Sequence, residues 1–198
     1  MAFGLLFSAQ SCSEKIDDGN FAIAKEQTIN DYLGTSKEYS QIKSVFDRVR
    51  LGNKSNASTL AAVLSARGNY TVFAPTNEAM AAYVTKVLGE SKNIADLSDE
   101  QAQLIAYSCV IDNGNESAYD SPLFPTKGGA FAKGDLNDRS ITCEEVSDSL
   151  KKPVVSYYLI NGTSRVEKSD TKLSNGYVHA VASVIAPSNQ SVSGLIAG

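Results

Sequence analysis

The side chains able to do chemistry are few, and their types narrow what the chain can catalyse. Histidine occurs once, at His179, cysteine three times, at Cys12, Cys109 and Cys143, and tryptophan not at all. One imidazole cannot build a multi-histidine metal site, and three thiols cannot close a four-thiolate zinc knuckle, so neither metal nor cofactor is expected. Catalysis by His179 would need a nucleophile and an orienting carboxylate, and no linear motif supplies either. Asp135-Leu136-Asn137-Asp138 resembles the opening of a calcium loop but lacks the Asp-x-Asn-x-Asp-Gly order and a closing Glu, so it reads as a solvated turn. Gly128-Gly129 has no helix-and-lysine continuation that would make a phosphate cradle. Ser91 and Lys92 are adjacent, whereas Ser-x-x-Lys chemistry places them a helical turn apart. The reading is a protein that is not an enzyme, with His179 hydrogen-bonded in or beside the core.

The 198 residues suit one domain with short extensions, and 42% hydrophobic, 20% charged and 8% aromatic content is that of a globular protein. A formal charge of -4 without blocks of like charge argues against a nucleic-acid partner.

Helical periodicity fills the first half. Thr28 to Leu33 carries an amphipathic turn, and Ser36 can cap a helix presenting Ile42, Val45, Phe46 and Val49. Ser58 can cap a helix through Leu60, Val63 and Leu64, closed by Gly68. Tyr70 to Ala74 is a strand stopped by Pro75, after which Thr76 or Asn77 caps a helix with Met80, Tyr83, Val84, Val87 and Leu88. Ser98-Asp99-Glu100-Gln101 has capping-box spacing and opens a helix that runs into Cys109-Val110-Ile111.

Short strands follow: around Phe131, Ser140 to Val146 and Val154 to Ile160, with a hairpin turn at Asn161-Gly162 and a less marked one at Asn137-Asp138. Asn175-Gly176 releases a nearly continuous apolar strand, Tyr177 to Ala186, ended by Pro187 and expected to be buried at least partly on both faces. Helices first and strands later make an α+β arrangement, with N-terminal helices grouped on a mostly antiparallel sheet. Cys109 and Cys143 both lie in strand-like stretches, so a bridge between them and a pair of buried thiols are equal alternatives.

Thr71-Val72-Phe73-Ala74-Pro75-Thr76-Asn77-Glu78-Ala79-Met80 resembles the first signature box of the fasciclin domain, with Met80 where that family usually has Phe. Asn175-Gly176-Tyr177-Val178-His179-Ala180-Val181, continuing to Pro187, resembles the second box. Between the boxes the family usually has Tyr-His, and here Tyr107 is followed by Ser108. The resemblance implies a wedge-shaped fasciclin-like fold over residues 28–187, in which Thr71, Phe73, Pro75, Thr76, Asn77, Asn175, Gly176 and His179 are structural rather than catalytic. It also implies a recognition module for cell adhesion, matrix contact or glycan binding. Asp170-Thr171 occupies the place of an Asp-Ile segment used by some animal members, so Asp170 and Thr171 are ligand-binding candidates, with Tyr107 and Tyr157 as aromatic ones.

The N-terminus, a short apolar run followed by Ser8-Ala9-Gln10-Ser11-Cys12, resembles the lipobox of bacterial lipoproteins. That resemblance implies a truncated signal at 1–12, lipid on Cys12 and a tether and lead-in at 13–27. The other reading is a partly apolar disordered tail with an ordinary cysteine. Residues 188–198 are a tail or the start of a following repeat. The expected function is a non-enzymatic adhesion or recognition module of the bacterial cell envelope, an outer-membrane or cell-surface lipoprotein. Its expected partners are a surface protein or polysaccharide, and the membrane through the lipid. The alternative is a soluble periplasmic or secreted glycan-binding protein.

Overall fold

The computed structural model describes residues 27–52 and 56–185, so Cys12, the tether, Pro187 and the tail lie outside the described residues. Five helices precede or interleave the first strands: α1 (Ile29–Thr35), α2 (Ser40–Arg48), α3 (Leu60–Val63), α4 (Asn77–Leu88) and α5 (Asp99–Ser108). The strands are β1 (Tyr70–Pro75), β2 (Val110–Asp112), β3 (Lys127–Ala130), β4 (Thr142–Asp148), β5 (Val155–Ile160), β6 (Ser164–Leu173) and β7 (Gly176–Val181). They form one mixed sheet in the order β2-β1-β7-β6-β5-β4-β3, antiparallel except for the parallel pair β1–β7.

Helix starts follow hydroxyl and carboxamide caps, as free N–H groups require. Thr28, Thr76 and Ser98 accept from the third residue of α1, α4 and α5, and Ser98 with Gln101 completes a capping box. Two expected caps move. Thr59, not Ser58, caps α3, which ends at Val63 through Leu64 rather than at Gly68. Ser36 makes no side-chain cap; a 3-10 turn at Lys37–Tyr39 intervenes before α2. The N-terminus of α2 is sealed instead by Asn77, whose Oδ1 accepts from Gln41 N–H at 3.0 Å while its Nδ2 donates to Lys37 C=O at 2.8 Å. Thr76 thus caps its own helix, and Asn77 caps a different one.

Alternation along the central strands builds two cores. Tyr70, Val72 and Ala74 of β1 with Val178 and Ala180 of β7 face the helices, joining Leu33, Phe46, Leu64, Met80 and Ile105. Phe73 and Val181 face the other way, into a cluster with Ile111, Phe124, Phe131, Ile141, Cys143 and Ile160. The expected burial of the last strand on both faces holds from Val178 to Val181, where the strand ends, followed by one more backbone hydrogen bond from Ala182 N–H to Arg165 C=O.

Turn chemistry sets the hairpins. Asn161 and Gly162 both have positive φ, 51° and 65°, so Ile160–Thr163 is a tight turn and β6 begins at Ser164. Asn137-Asp138 does not join two strands. It tops a closed loop in which Asp135 Oδ1 accepts from Asn137 N–H at 2.8 Å and Arg139 N–H at 3.0 Å. Phe131 lies just past β3 and fills the second core.

The turn between β6 and β7 fastens the helices to the sheet. Asn175 is 2% exposed, its Oδ1 accepts from Ile29 N–H at 2.9 Å, and its Nδ2 donates to Leu64 C=O at 2.8 Å and Ala66 C=O at 2.9 Å. Its neighbour Gly176 has φ 144°, and a Cβ there would sit 1.9 Å from Tyr70 O. Replacing Asn175 with Ala leaves the N–H of the fully buried Ile29 without this partner and frees the exposed Ala66 carbonyl to water. The expected loss is about 1–3 kcal/mol of stability, read as a lower urea midpoint at unchanged denaturant slope.

Candidate functional site

The two signature segments lie side by side, with Phe73 of β1 in register with His179 of β7. His179 is fully buried. Its Nδ1 accepts from Asp170 N–H at 3.2 Å, which places the ring proton on Nε2, donated to Tyr119 C=O at 2.9 Å. Phe73 and Phe124 approach the ring at centroid distances of 5.5 and 4.9 Å. Burial pushes its pKa below the ordinary value, against smaller upward effects from the Tyr119 carbonyl, Asp170 and Asp120. A neutral imidazole with both nitrogens committed to backbone has no lone pair or proton left to exchange with a substrate.

From the first segment, Thr71 completes the clamp. Its Oγ1 accepts from Tyr119 N–H at 2.8 Å and donates to Asn113 Oδ1 at 3.1 Å. Tyr119 is therefore held at its N–H by one signature segment and at its C=O by the other. The same segment is tied a third time, where Ser121 donates through both N–H and Oγ to the Asp170 carboxylate. Asp170 sits at φ 63° in an irregularity of β6 between Lys168 and Thr171. Desolvation pushes its carboxyl pKa up, but hydrogen bonds from Ser121 and Ser169 and the nearby His179 outweigh it and hold the pKa low. Ser, Asp and His come together, but the serine meets the carboxylate and the histidine meets backbone, which is not the relay of a hydrolase.

Tyr107, Tyr157, Asp170 and Thr171 occupy the end of α5, β5 and β6. Tyr107 is 6% exposed, and its hydroxyl donates to Arg50 C=O at 2.7 Å and accepts from Gly52 N–H at 3.1 Å. Tyr157 is half-buried beneath the Arg165 guanidinium, 4.5 Å from its ring centre, while Tyr158 turns into the second core against Phe124. Thr171 pairs with Val178. Ser108, where the family usually has His, donates to Leu104 C=O and accepts from Arg139, which also pairs with Asp135 at 2.9 Å.

Cys109 and Cys143 are free, buried thiols in separate cores, one on the helical side and one on the other, so the considered bridge is not formed. Burial pushes both thiol pKa values up to about 12. Tyr119 and Ser121 were not among the residues singled out from sequence; Asp120-Ser121-Pro122 is a turn signal but says nothing about its partners on β6 and β7.

Open clefts mark the surface of the described residues. One of about 580 Å³ lies between α2 and α4, lined by Arg48, Val84, Lys92 and Ile94 among others. Another, of about 370 Å³, is lined by Asp120, Leu123, Lys172 and Tyr177 and lies next to the clamp. Asp120 Oδ1 and the Tyr119 hydroxyl are buried without a hydrogen-bond partner among the described residues.

Helices on one face of a curled mixed sheet, with its first and last strands paired side by side, define an α+β module whose signature residues hold backbone together. The chain belongs to the fasciclin-domain family: the family model described as Fasciclin domain matches residues 49–187. Among solved structures, a FAS1 domain pair from the insect cell adhesion molecule fasciclin I is similar at 17% identity and a TM-score of 0.40. That match covers 66% of this chain, which spans 41% of the insect structure. No curated protein matches.

Two outcomes follow from the site. Because folding lowers the His179 pKa, the unfolded chain takes up a proton first as pH falls. The stability from the neutral ring is complete above about pH 6.5 and declines below it until the folded pKa is reached. The Asp170 carboxyl, held low, stays ionised over that window. Urea midpoints should therefore fall between about pH 7 and pH 5, and His179→Gln should flatten the trend while lowering stability at neutral pH. Cys109 and Cys143 should resist a thiol reagent in the native protein at neutral pH and react fully once denatured, without reductant; intact mass after alkylation reads both.

Proposed function

We propose that the chain is a non-enzymatic adhesion or recognition module, held at a bacterial cell surface by lipid on Cys12 and contacting a surface protein or polysaccharide. Fasciclin domains are cell-adhesion modules, and membership of that family supports the general reading. The observation that carries the non-enzymatic part is the fate of His179: both ring nitrogens are spent on Asp170 N–H and Tyr119 C=O. Lipidation rests on the sequence before Cys12 and on the acidic, polar stretch Ser13 to Asn20 that would tether the domain to the lipid.

A second reading, a soluble periplasmic or secreted glycan-binding protein, is favoured by the cleft beside the clamp. There a tyrosine face, Tyr177, stands near a carboxylate, Asp120, and an ammonium, Lys172, the groups that meet sugar hydroxyls and apolar sugar faces. Cell fractionation separates the two. Cys12→Ala should move the protein from the membrane to the soluble fraction; unchanged partition would remove the anchor, and a glycan array with the purified chain would then become the deciding measurement.

A further inference from the structure

The loop joining β4 to β5 is the most apolar exposed point among the described residues. Of four exposed large hydrophobic side chains, three are here: Leu150 at 95%, Val154 at 59% and Val155 at 38%. Lys151, Lys152 and Pro153 lie between the leucine and the valines. Both lysines are exposed. Lys151 reaches Asp148 only at 3.9 Å, a contact that water screens, and Lys152 makes no ion pair among the described residues. β5 pairs with β6 only at Leu159 and Ile160, so the tip of this hairpin has β4 as its single strand neighbour.

An apolar crown beside two exposed ammonium groups has the chemistry of an interfacial membrane contact. The leucine enters the headgroup region, and the lysines meet lipid phosphates. A protein partner fits less well, because protein interfaces favour aromatic and arginine anchors and are depleted in lysine.

The course of the chain points the same way. Gln27 C=O accepts from Ser174 N–H at 3.0 Å, at the β6–β7 turn. Along the antiparallel succession β4-β5-β6-β7, the β4–β5 and β6–β7 turns fall at the same end of the sheet. The hairpin tip therefore shares an end with the residue from which the chain leads back to Cys12. Residues 13–26 separate Cys12 from Gln27, a length of chain that reaches about 50 Å at most.

We propose that the β4–β5 tip is a membrane-docking element for anionic phospholipid, and that together with lipid on Cys12 it sets this end of the sheet against the bilayer. The orientation rests on the anchored reading above; the tip's own affinity for lipid does not.

The test uses the full chain carrying Cys12→Ser, so that no acyl chain contributes, in cosedimentation with vesicles. One set is phosphatidylcholine alone and the other is phosphatidylcholine and phosphatidylglycerol in equal parts. Binding is expected to the mixed vesicles, weakening with salt, and not to the neutral ones. Leu150→Asp should reduce it about tenfold or more, and Lys151→Glu with Lys152→Glu about fivefold per site, with thermal unfolding unchanged. No binding to mixed vesicles, or equal binding by Leu150→Asp, overturns the proposal. So does a loss of cell adhesion in Leu150→Asp without any vesicle binding, which would assign the tip to a protein. Vesicle binding by a chain that ignores Cys12 in cells would keep the tip and discard the anchor.

Discussion

The contact on which the rest of the molecule depends is the parallel approach of β7 to β1, closest where Gly176 lies against Tyr70. No side chain fits there, since a Cβ would meet the Tyr70 carbonyl at 1.9 Å. With that approach in place, Val72 and Ala74 align with Val178 and Ala180 toward the helices, and Phe73 aligns with His179 on the opposite side. Both cores take their central layer from this one pair of strands. Asn175, next in the chain, then spends its whole side chain on the ends of α1 and α3. A tight backbone contact and one carboxamide thus join sheet to helices, and a buried carboxamide satisfied on both its oxygen and nitrogen specifies position more sharply than apolar packing does.

On the far side of the same strands, the polar residues of the two signatures act on backbone. Thr71 and His179 take the two hydrogen-bonding groups of Tyr119, and Asp170 takes Ser121. These bonds draw the segment before β3 across β1, β7 and β6, where Phe124 and Tyr119 cover the second core. The aromatic side chains supply most of the burial, and the hydrogen bonds decide which segment delivers them. A histidine in this position gives two bonds in opposite directions from one ring, which no aliphatic side chain can.

What was legible in the amino-acid sequence was local. The caps at Thr76 and Ser98, the strand stopped by Pro75 and the positive-φ turn at Asn161-Gly162 depend on residues within four positions of each other, so spacing alone exposes them. The α+β order and the fasciclin resemblance rested on two such local patterns. The roles that sequence did not disclose span long separations. Asn77 seals a helix 36 residues earlier, and Asn175 one that starts 146 residues earlier. Tyr107 looks like an available aromatic until α5 is docked and its hydroxyl meets Arg50. The two cysteines share a strand-like setting in sequence, but α5 ends on one side of the sheet and β4 contributes to the other. Side-chain periodicity reports which face is buried, not which neighbour will cover it.

The pairing of the first strand with the last also has a temporal meaning. A chain emerging from a ribosome, or threaded through a membrane pore from its N-terminus, carries β1 long before β7 exists to lie beside it. Until residues 176–181 arrive, α1 lacks the Asn175 carboxamide at its first turn and Tyr119 lacks the imidazole that holds its carbonyl. Loop-closure entropy across more than half the sequence must be met before either core closes, which makes such a topology slow to fold. Neither core can take its final form until β7 has followed β1 out and lies beside it.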